Sequence, residues 1–359
     1  MTMPYETMPP HTLIFFVILF LPFVVLLHVA VKQIAKISKR KQQQLQVDGL
    51  PPSPPGLPLI GHLHLIGFLP HISLRHLAGR YGGDGLMLVR LGSVPTIVVS
   101  SRRAAEAVMR THDHLLASRP PSTVAHTLLY GSRDVIFAVY GDHWRKAKKI
   151  LTSHLLTVKK VQSYRAVREE EARLAMAKVS DAAEMGLTMD MSELLYSFTF
   201  EVMCRAVSGR SVKLNGTSTL FRELLDVTET LIGGFNAEDY FPWLLRVGTY
   251  RRAVCTRAEK VRKRWDELLD RVMDDHEGKL VQQQEPDFIE VLLSHQHEYG
   301  FTRDHLKALL VDIFVAGTDT SYIVLEFAMV ELMRNPHVPC VAHPVEISVG
   351  KLYPSTENK

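Results

Sequence analysis

The residues best suited to chemistry form a short run in the middle of a long apolar segment. Ala316-Gly317-Thr318-Asp319-Thr320-Ser321 places hydroxyl groups on both sides of a carboxylate, directly after two small residues. Glycine inside a helix costs about 1 kcal/mol relative to alanine, so this run needs a physical reason. One reason is close packing of another helix against Gly317. The other is a flat ligand that lies on the helix with hydroxyl and carboxylate groups beside it.

Other potential ligand residues are too sparse to predict a metal site. Histidines stand two residues apart at three places, and such pairs can chelate from a strand, but each lacks a third ligand nearby. The cysteines have no CxxC spacing, which excludes a disulfide framework and a structural zinc site and suits a reducing compartment. These cysteines are Cys204, Cys255 and Cys340.

A basic stretch lies between His143 and Arg168, where eight Lys and Arg residues occur without an acid. Such a surface favours association with an acidic partner. Nucleic acid is not the expected partner, because Tyr164 is the one aromatic residue among these cations and base stacking needs several. The basic residues are Arg145, Lys146, Lys148, Lys149, Lys159, Lys160, Arg165 and Arg168.

The segment that carries the first run is predicted to be a single helix over 303–334. Thr302 is a suitable N-terminal cap, and Pro336 disfavours helix at the residue before it, so the helix is about 48 Å long. It is apolar nearly all round, which is typical of a helix at the centre of a large domain. Its acids Asp312, Asp319 and Glu326 recur every seven residues and share one stripe.

Most of the remaining pattern is helical. Two β-rich runs, 86–91 and 96–100, flank Gly92-Ser93-Val94-Pro95 and predict a hairpin. Apolar periodicity predicts further helices near 71–80, 102–111, 142–156, 158–180, 191–208, 218–232, 249–276 and 286–297.

The amino terminus has the pattern of a membrane anchor. Residues 12–31 contain no Asp, Glu, Lys or Arg, and about 20 helical residues span the hydrocarbon core of a bilayer. Basic residues from Lys32 to Lys41 follow, so this flank is expected to stay cytosolic. Five prolines between Leu50 and Pro58 then predict a stiff spacer. We therefore expect a single-pass protein of the endoplasmic reticulum membrane, in contact with lipid, whose folded part faces the cytosol.

Length and composition restrict the class of protein to which the rest of the chain can belong. The chain has 359 residues, 46% of them hydrophobic and 22% charged, with a net charge of +4. These values exclude a disordered chain and a polytopic membrane protein, and the charge is too small to indicate nucleic-acid binding.

Six landmarks in order give the chain a strong resemblance to the membrane-bound cytochromes P450 of plants, which are haem-thiolate monooxygenases. The resemblance covers residues 12 to about 337 and is closest to cereal members that oxidise indole-derived defence metabolites. The landmarks are the anchor, the proline-rich linker, Ala117-Ser118-Arg119-Pro120, the Trp144-to-Lys149 segment, the Ala237-to-Pro242 segment and the Ala316-to-Ser321 run.

The resemblance implies a haem b cofactor, a small hydrophobic substrate, and electrons from NADPH through a flavin reductase that docks on the basic residues near 145–168. It places Ala316 and Gly317 over the distal haem face. It gives Asp319 and Thr320 the role of delivering protons to iron-bound dioxygen, since cleavage of the O–O bond consumes protons in a dry pocket. It assigns the binding of the haem propionates to Arg119, Trp144 and the residue four positions after the tryptophan. Here that residue is Lys148 where the family usually has arginine, so a bidentate contact is lost while the charge remains.

The sequence departs from the family at the iron ligand. The family's cysteine lies in a glycine- and phenylalanine-rich loop more than 100 residues beyond the long helix, whereas 39 residues follow Thr320 here. No Phe-x-x-Gly-x-x-x-Cys-x-Gly is present, and Cys340 follows a proline without glycines around it. The axial cysteine is therefore predicted to be absent, and the sequence reads as a carboxy-terminally truncated member.

These observations predict a mainly α fold: an amino-terminal transmembrane helix and an incomplete cytochrome P450 fold with a small amino-terminal β-sheet region. The function is monooxygenation by family, with this chain expected to be inactive. The alternative is a non-catalytic, membrane-tethered remnant that binds a ligand or a partner. The predicted segments are an anchor and basic flank at 1–42, a linker at 43–58, a partial cytochrome P450 domain at 59–337 and an unrelated tail at 338–359.

Overall fold

A computed structural model describes residues 49–209, 218–277, 286–335 and 347–348. The predicted anchor at 12–31, the basic flank and Cys340 lie outside these residues. The helices, in chain order, are α1 Pro70–Tyr81, α2 Arg102–Glu106, α3 Asp113–Leu116, α4 Thr123–Leu128, α5 Asp142–His154, α6 Val158–Ser163, α7 Arg165–Glu184, α8 Met191–Ser208, α9 Ser218–Gly233, α10 Ala237–Tyr240, α11 Gly248–Glu277, α12 Phe288–Tyr299 and α13 Arg303–Arg334. The strands are β1 Leu86–Leu91, β2 Val94–Val99, β3 Met189–Asp190 and β4 Ile347–Ser348.

The described chain is mainly helical, as predicted, and its contacts divide it into two units. The first unit comprises residues up to Leu116 together with Ala237–Arg246, and the second comprises Ala117–Asn236 and the residues from Val247 onward. All predicted catalytic and cofactor-binding residues belong to the second unit.

The first unit contains the predicted small β-sheet, an antiparallel hairpin of β1 and β2. Its turn is tighter than expected: β2 begins at Val94, and Gly92 adopts a φ of 63°, which glycine tolerates without strain. The carbonyl of Tyr240 accepts hydrogen bonds from the backbone N–H and the hydroxyl of Ser93, at 2.9 and 3.0 Å. Close approach of this carbonyl to Gly92 leaves no room for a Cβ there.

Two predicted helices are interrupted in the structure. The expected helix over 158–180 is two helices, α6 and α7, because Tyr164 adopts φ −77° and ψ 5° between them. The expected helix over 102–111 passes into a π-helical turn at Ala107–Thr111. Both breaks occur within continuous helical periodicity, so the pattern of apolar residues did not indicate them.

The core of the second unit is built around α13. The first half of this helix is enclosed, and Leu306, Leu309, Leu310 and Phe314 are at most 2% exposed. The ring of Phe221 on α9 lies 4.7 Å from the ring of Phe314 and 5.5 Å from that of Trp265 on α11, measured between centroids. These contacts join three helices around one aromatic cluster, whose burial contributes roughly 25 cal/mol per Å² of apolar surface.

Within the described residues, α13 is the one helix that is long and apolar enough to cross a membrane. A core helix can have the same length and composition, and the first half of α13 is enclosed in the core of this unit. A short parallel pairing of β3 with β4 completes the described elements of this unit.

Candidate functional site

Helix α13 presents the residues of the Ala316-to-Ser321 run in different directions. Ala316 and Thr320 are exposed, and the Thr320 hydroxyl donates a hydrogen bond of 2.6 Å to the Ala316 carbonyl. Thr318 is fully buried, and its hydroxyl has no hydrogen-bond partner among the described residues. The run therefore has one outward turn, Ala316 to Thr320, and one side that faces the core.

Gly317 faces helix α8. A Cβ at this position would lie 2.4 Å from the terminal methyl carbon of Met203 and 2.6 Å from its sulfur. Close helix packing, the first of the two reasons considered for this glycine, is therefore present. The assignment of Gly317 to a haem face remains a prediction from the resemblance.

Asp319 points toward α9, where its carboxyl group is hydrogen-bonded to that of Glu229. Burial, this hydrogen bond and the charges of Asp319 and Asp226 raise the pKa of Glu229 to about 8. A pKa of about 8 favours the protonated form of Glu229 at neutral pH, the form that can donate a hydrogen bond to a carboxylate. The residue was not identified from the sequence, because nothing in the pattern of α9 indicates which acid faces α13.

The acidic stripe of α13 contacts three different parts of the second unit. Asp312 accepts hydrogen bonds from the segment before α5, Asp319 meets α9, and Glu326 accepts a hydrogen bond from Ser192 on α8. The seven-residue repeat predicted a shared face, and the structure shows that this face crosses several neighbours.

Trp144 and Lys148 form a contact on α5, as their spacing of four residues predicts. The Lys148 ammonium lies 4.5 Å from the centroid of the Trp144 ring, within the range of a cation–π interaction. The indole N–H of Trp144 donates to the Val135 carbonyl at 3.0 Å. Arg119 is exposed, and its guanidinium makes no ion pair with any described residue, so it is available to an anion.

A neutral histidine caps the start of α13. The Thr302 backbone N–H donates to Nδ1 of His305 at 3.1 Å. Burial, with His143 and Arg133 nearby, lowers the pKa of His305 to about 4, so the ring is neutral and its nitrogen can accept this bond. The cap that the sequence assigned to Thr302 thus depends on a second residue.

Several cations of the basic stretch at 145–168 are engaged within the chain. Lys146 donates to the Tyr299 carbonyl at 3.2 Å, and Arg165 pairs with Glu169 at 2.6 Å. Arg168 donates to the Val161 carbonyl at 2.8 Å, and Arg145 pairs with Asp142. Such exposed contacts contribute little to stability, so they do not prevent the same side chains from meeting a partner.

The cytochrome P450 family matches residues 51–342 of the chain. The chain belongs to the cytochrome P450 family. It is 56% identical over 292 residues to maize (Zea mays) indole-2-monooxygenase, a match that covers 80% of this chain and 54% of that protein. It is 49% identical over 319 residues to maize 3-hydroxyindolin-2-one monooxygenase, covering 87% of this chain and 60% of that protein. The chain thus spans little more than half the length of these two cytochromes P450.

Solved structures share the fold. A zebra fish cytochrome P450 with progesterone superimposes with a TM-score of 0.61 at 22% identity, over 76% of this chain and 61% of that chain. The mainly helical cytochrome P450 fold with its small antiparallel sheet is confirmed by the family match and by this superposition.

Groups that suit the carboxylates and an apolar face of a haem occur among the described residues. Arg119 and Lys148 are cations that can pair with propionates, and the outward turn of α13 continues into exposed apolar side chains at Val324 and Phe327. The described part of the chain does not offer an exposed thiol, since Cys204 is fully buried and Cys255 is half-buried on α11.

Proposed function

We propose that the complete protein is a monooxygenase that hydroxylates a small hydrophobic or indole-derived plant metabolite. Electrons come from NADPH through a flavin reductase. The maize relatives named for indole and hydroxyindolinone oxidation support this substrate class. The observation that carries the proposal is the exposed turn from Ala316 to Thr320, where a small side chain and a hydroxyl face outward from the central helix of the second unit.

The chain contributes to cofactor binding through cations and a small side chain. Arg119 and Lys148 would hold the propionates of haem b, with Trp144 beneath the lysine, and Ala316 would allow a flat ring to approach α13. When bound, haem supplies the iron at which dioxygen is activated for transfer of an oxygen atom.

Two neighbouring residues of α13 would take part in proton transfer. The Thr320 hydroxyl donates its hydrogen bond to the Ala316 carbonyl, which leaves the hydroxyl oxygen free to accept a hydrogen bond from water or ligand. Asp319, held by the neutral acid Glu229, lies next to it in the chain and would pass protons from the α9 side.

We propose that the reductase binds the exposed cations of the stretch at 145–168. We also propose that residues 12–31 anchor the protein in the endoplasmic reticulum membrane. Complementary charge steers an acidic partner to a basic surface, and the effect weakens as salt rises. The exposed cations of this stretch include Arg145, Lys148, Lys149 and Lys159.

For residues 1–359 alone we propose haem binding without thiolate ligation and therefore no turnover. Cys204 is enclosed in the core, Cys255 is half-buried on helix α11, and Cys340 follows a proline. A haem without a cysteine ligand lacks the electron donation that favours O–O cleavage. The alternative, a membrane-tethered binding protein without catalysis, is favoured by this same observation.

Haem titration of the full chain in detergent tests these proposals. We expect a Soret change on binding, weakened roughly tenfold in an Arg119→Met/Lys148→Met variant and unchanged in the exposed-lysine control Lys159→Met. After reduction under carbon monoxide, the expected spectrum lacks the band at about 450 nm that marks thiolate ligation. Absence of any haem binding would contradict the cofactor assignment. A clear 450 nm band that disappears in Cys340→Ala would contradict the predicted lack of a thiolate.

A further inference from the structure

The side chain of Asp312 connects α13 to the segment that precedes α5. One of its carboxyl oxygens, Oδ2, accepts hydrogen bonds from the backbone N–H groups of Val135 at 2.7 Å and Ile136 at 3.3 Å. The carboxyl group is only 5% exposed. A buried carboxyl group is costly unless its hydrogen bonds are made, so this contact determines where the segment can lie against the helix.

A second buried carboxyl group lies in the same segment. Asp134 is fully buried, and its Oδ2 accepts a hydrogen bond of 2.6 Å from the Phe137 backbone N–H. Burial and the neighbouring charge of Asp134 raise the pKa of Asp312 well above its usual range. The cost of enclosing two acids is offset by their hydrogen bonds to three consecutive backbone N–H groups of the segment between α4 and α5, and these bonds restrict its conformation.

The same segment holds the start of α5. The Val135 carbonyl accepts the hydrogen bond from the indole N–H of Trp144, and the Arg133 carbonyl is bonded to Nε2 of His143 at 3.0 Å. Val135 therefore meets Asp312 through its N–H and Trp144 through its carbonyl oxygen. A single residue thus separates the carboxyl group of α13 from the indole of α5.

We infer that Asp312 is a positioning residue that sets the place of Trp144 relative to the Ala316–Thr320 turn of α13. Thr320 lies eight residues after Asp312 on the same helix, about 12 Å along its axis. The carboxyl group thereby links the helix assigned to the distal face with the tryptophan assigned to the propionates. The importance of this link for haem rests on the proposed function, whereas the link itself does not.

Fluorine NMR of the full chain labelled with 5-fluorotryptophan tests the link without haem. The three tryptophans, at 144, 243 and 265, give separate reporters, and Trp144→Phe assigns the relevant signal. In Asp312→Leu we expect the Trp144 resonance to shift or broaden while that of Trp265 stays in place. Asp312→Asn retains an acceptor oxygen and should keep the Trp144 resonance close to that of wild type.

A matched control lies two residues away on the same helix. Phe314→Leu should move the Trp265 resonance, because Phe221 packs against both rings, and should leave Trp144 unchanged. If Asp312→Leu does not fold, Asp312→Glu replaces it, since one added methylene displaces the carboxyl group and should still shift the Trp144 resonance. An unchanged Trp144 resonance, or equal shifts of Trp144 and Trp265, would overturn the inference.

Haem titration of the same variants separates this inference from the proposed function. We expect Asp312→Leu and Trp144→Phe each to weaken haem affinity about tenfold, and the double variant to be no weaker than either. Additive losses would overturn the positioning role. A shifted Trp144 resonance with unchanged haem affinity in Trp144→Phe would support the link and contradict the cofactor role given to Trp144.

Discussion

At the scale of single residues, the described chain uses buried acids as hydrogen-bond donors as well as acceptors. Burial, the hydrogen bond to Asp319 and the charges of Asp319 and Asp226 raise the pKa of Glu229 to about 8, which favours its protonated form at neutral pH. The neighbour of Asp319 on α9 is therefore an acid with a raised pKa. The protonation of Glu229 then makes the stability of the α9–α13 contact depend on pH.

Replacing Glu229 by glutamine should remove part of this dependence. The folded chain binds a proton at Glu229 up to a pH of about 8, whereas an unfolded glutamate releases it near pH 4.5. The free energy of unfolding contributed by this group therefore falls as pH rises from about 4.5 to 8 and is fully present only below that interval. Thermal melts at pH 5 and 8.5 should show Glu229→Gln gaining stability relative to wild type at the higher pH. The exposed control Glu259→Gln should follow wild type, and parallel profiles for Glu229→Gln and wild type would contradict the expectation.

His276 should make the stability of the folded chain depend on pH from about 6.5 upward. Burial lowers its pKa, but the hydrogen bond to Asp287 and those to the Val272 and Ser208 carbonyls outweigh burial and raise the pKa above 6.5. Its stabilisation is therefore complete below about pH 6.5 and is lost as pH rises through the raised pKa. The difference in melting temperature between wild type and His276→Gln should be largest near pH 6 and decrease toward pH 9. A difference that grows with pH would show that the ring is neutral in the folded chain.

At the scale of elements, the middle of α13 combines close packing on one side with an outward polar turn on the other. Gly317 lets Met203 of α8 approach the helix backbone, while Ala316 and Thr320 remain exposed on a different face of the helix. The lower helix propensity of this run is offset by the packing that the glycine permits. Both reasons considered for the run can therefore hold at once, on different faces of the helix.

A larger residue at 317 should weaken the α8–α13 contact. Gly317→Val places two methyl groups where Met203 lies and should cost about 1–3 kcal/mol of unfolding free energy. Met203→Ala in the same chain should recover part of this loss, because it vacates the space. Chemical denaturation of the two single variants and the double variant measures the coupling. Strict additivity would mean that the two side chains do not compete for one volume.

At the scale of the whole molecule, α13 divides into an enclosed first half and a second half with exposed apolar side chains. Among the described residues of this second half, Val324 is 67% and Phe327 is 57% exposed. Exposed apolar groups that are neighbours on one helix face favour self-association in water. The described part of the family fold is therefore expected to associate through this face.

Charged substitutions on this face should reduce association without weakening the core. Val324→Lys/Phe327→Lys should bind less of an apolar fluorescent dye and remain dispersed at higher concentration, while its unfolding free energy changes by at most about 0.5 kcal/mol. Val158→Lys replaces an exposed valine on α6 and serves as the matched control. Equal dye binding by the double variant and by wild type would show that the surface responsible for self-association does not include Val324 and Phe327.

Local signals in the sequence were sufficient to predict most helices and one contact of the site. Helix α8 and helix α13 begin and end at the predicted residues, since Asp190 and Gly209 bound the first and Thr302 and Pro336 the second. The spacing of four residues likewise puts Trp144 and Lys148 on one face of a helix, and the structure shows them in contact there. The break at Tyr164 was missed because its backbone turns within an unbroken helical pattern.

The sequence by itself determined the family, the residue types of the site and the helix that carries them, because caps, periodicity and motifs act over a few residues. Only the tertiary structure decided which partners those residues meet. Val135 and Asp312 are 177 positions apart, and their hydrogen bond exists because folding encloses both where no water can replace either partner. The contacts of Glu229 with Asp319 and of Gly317 with Met203 arise in the same way, from packing between helices distant in the chain.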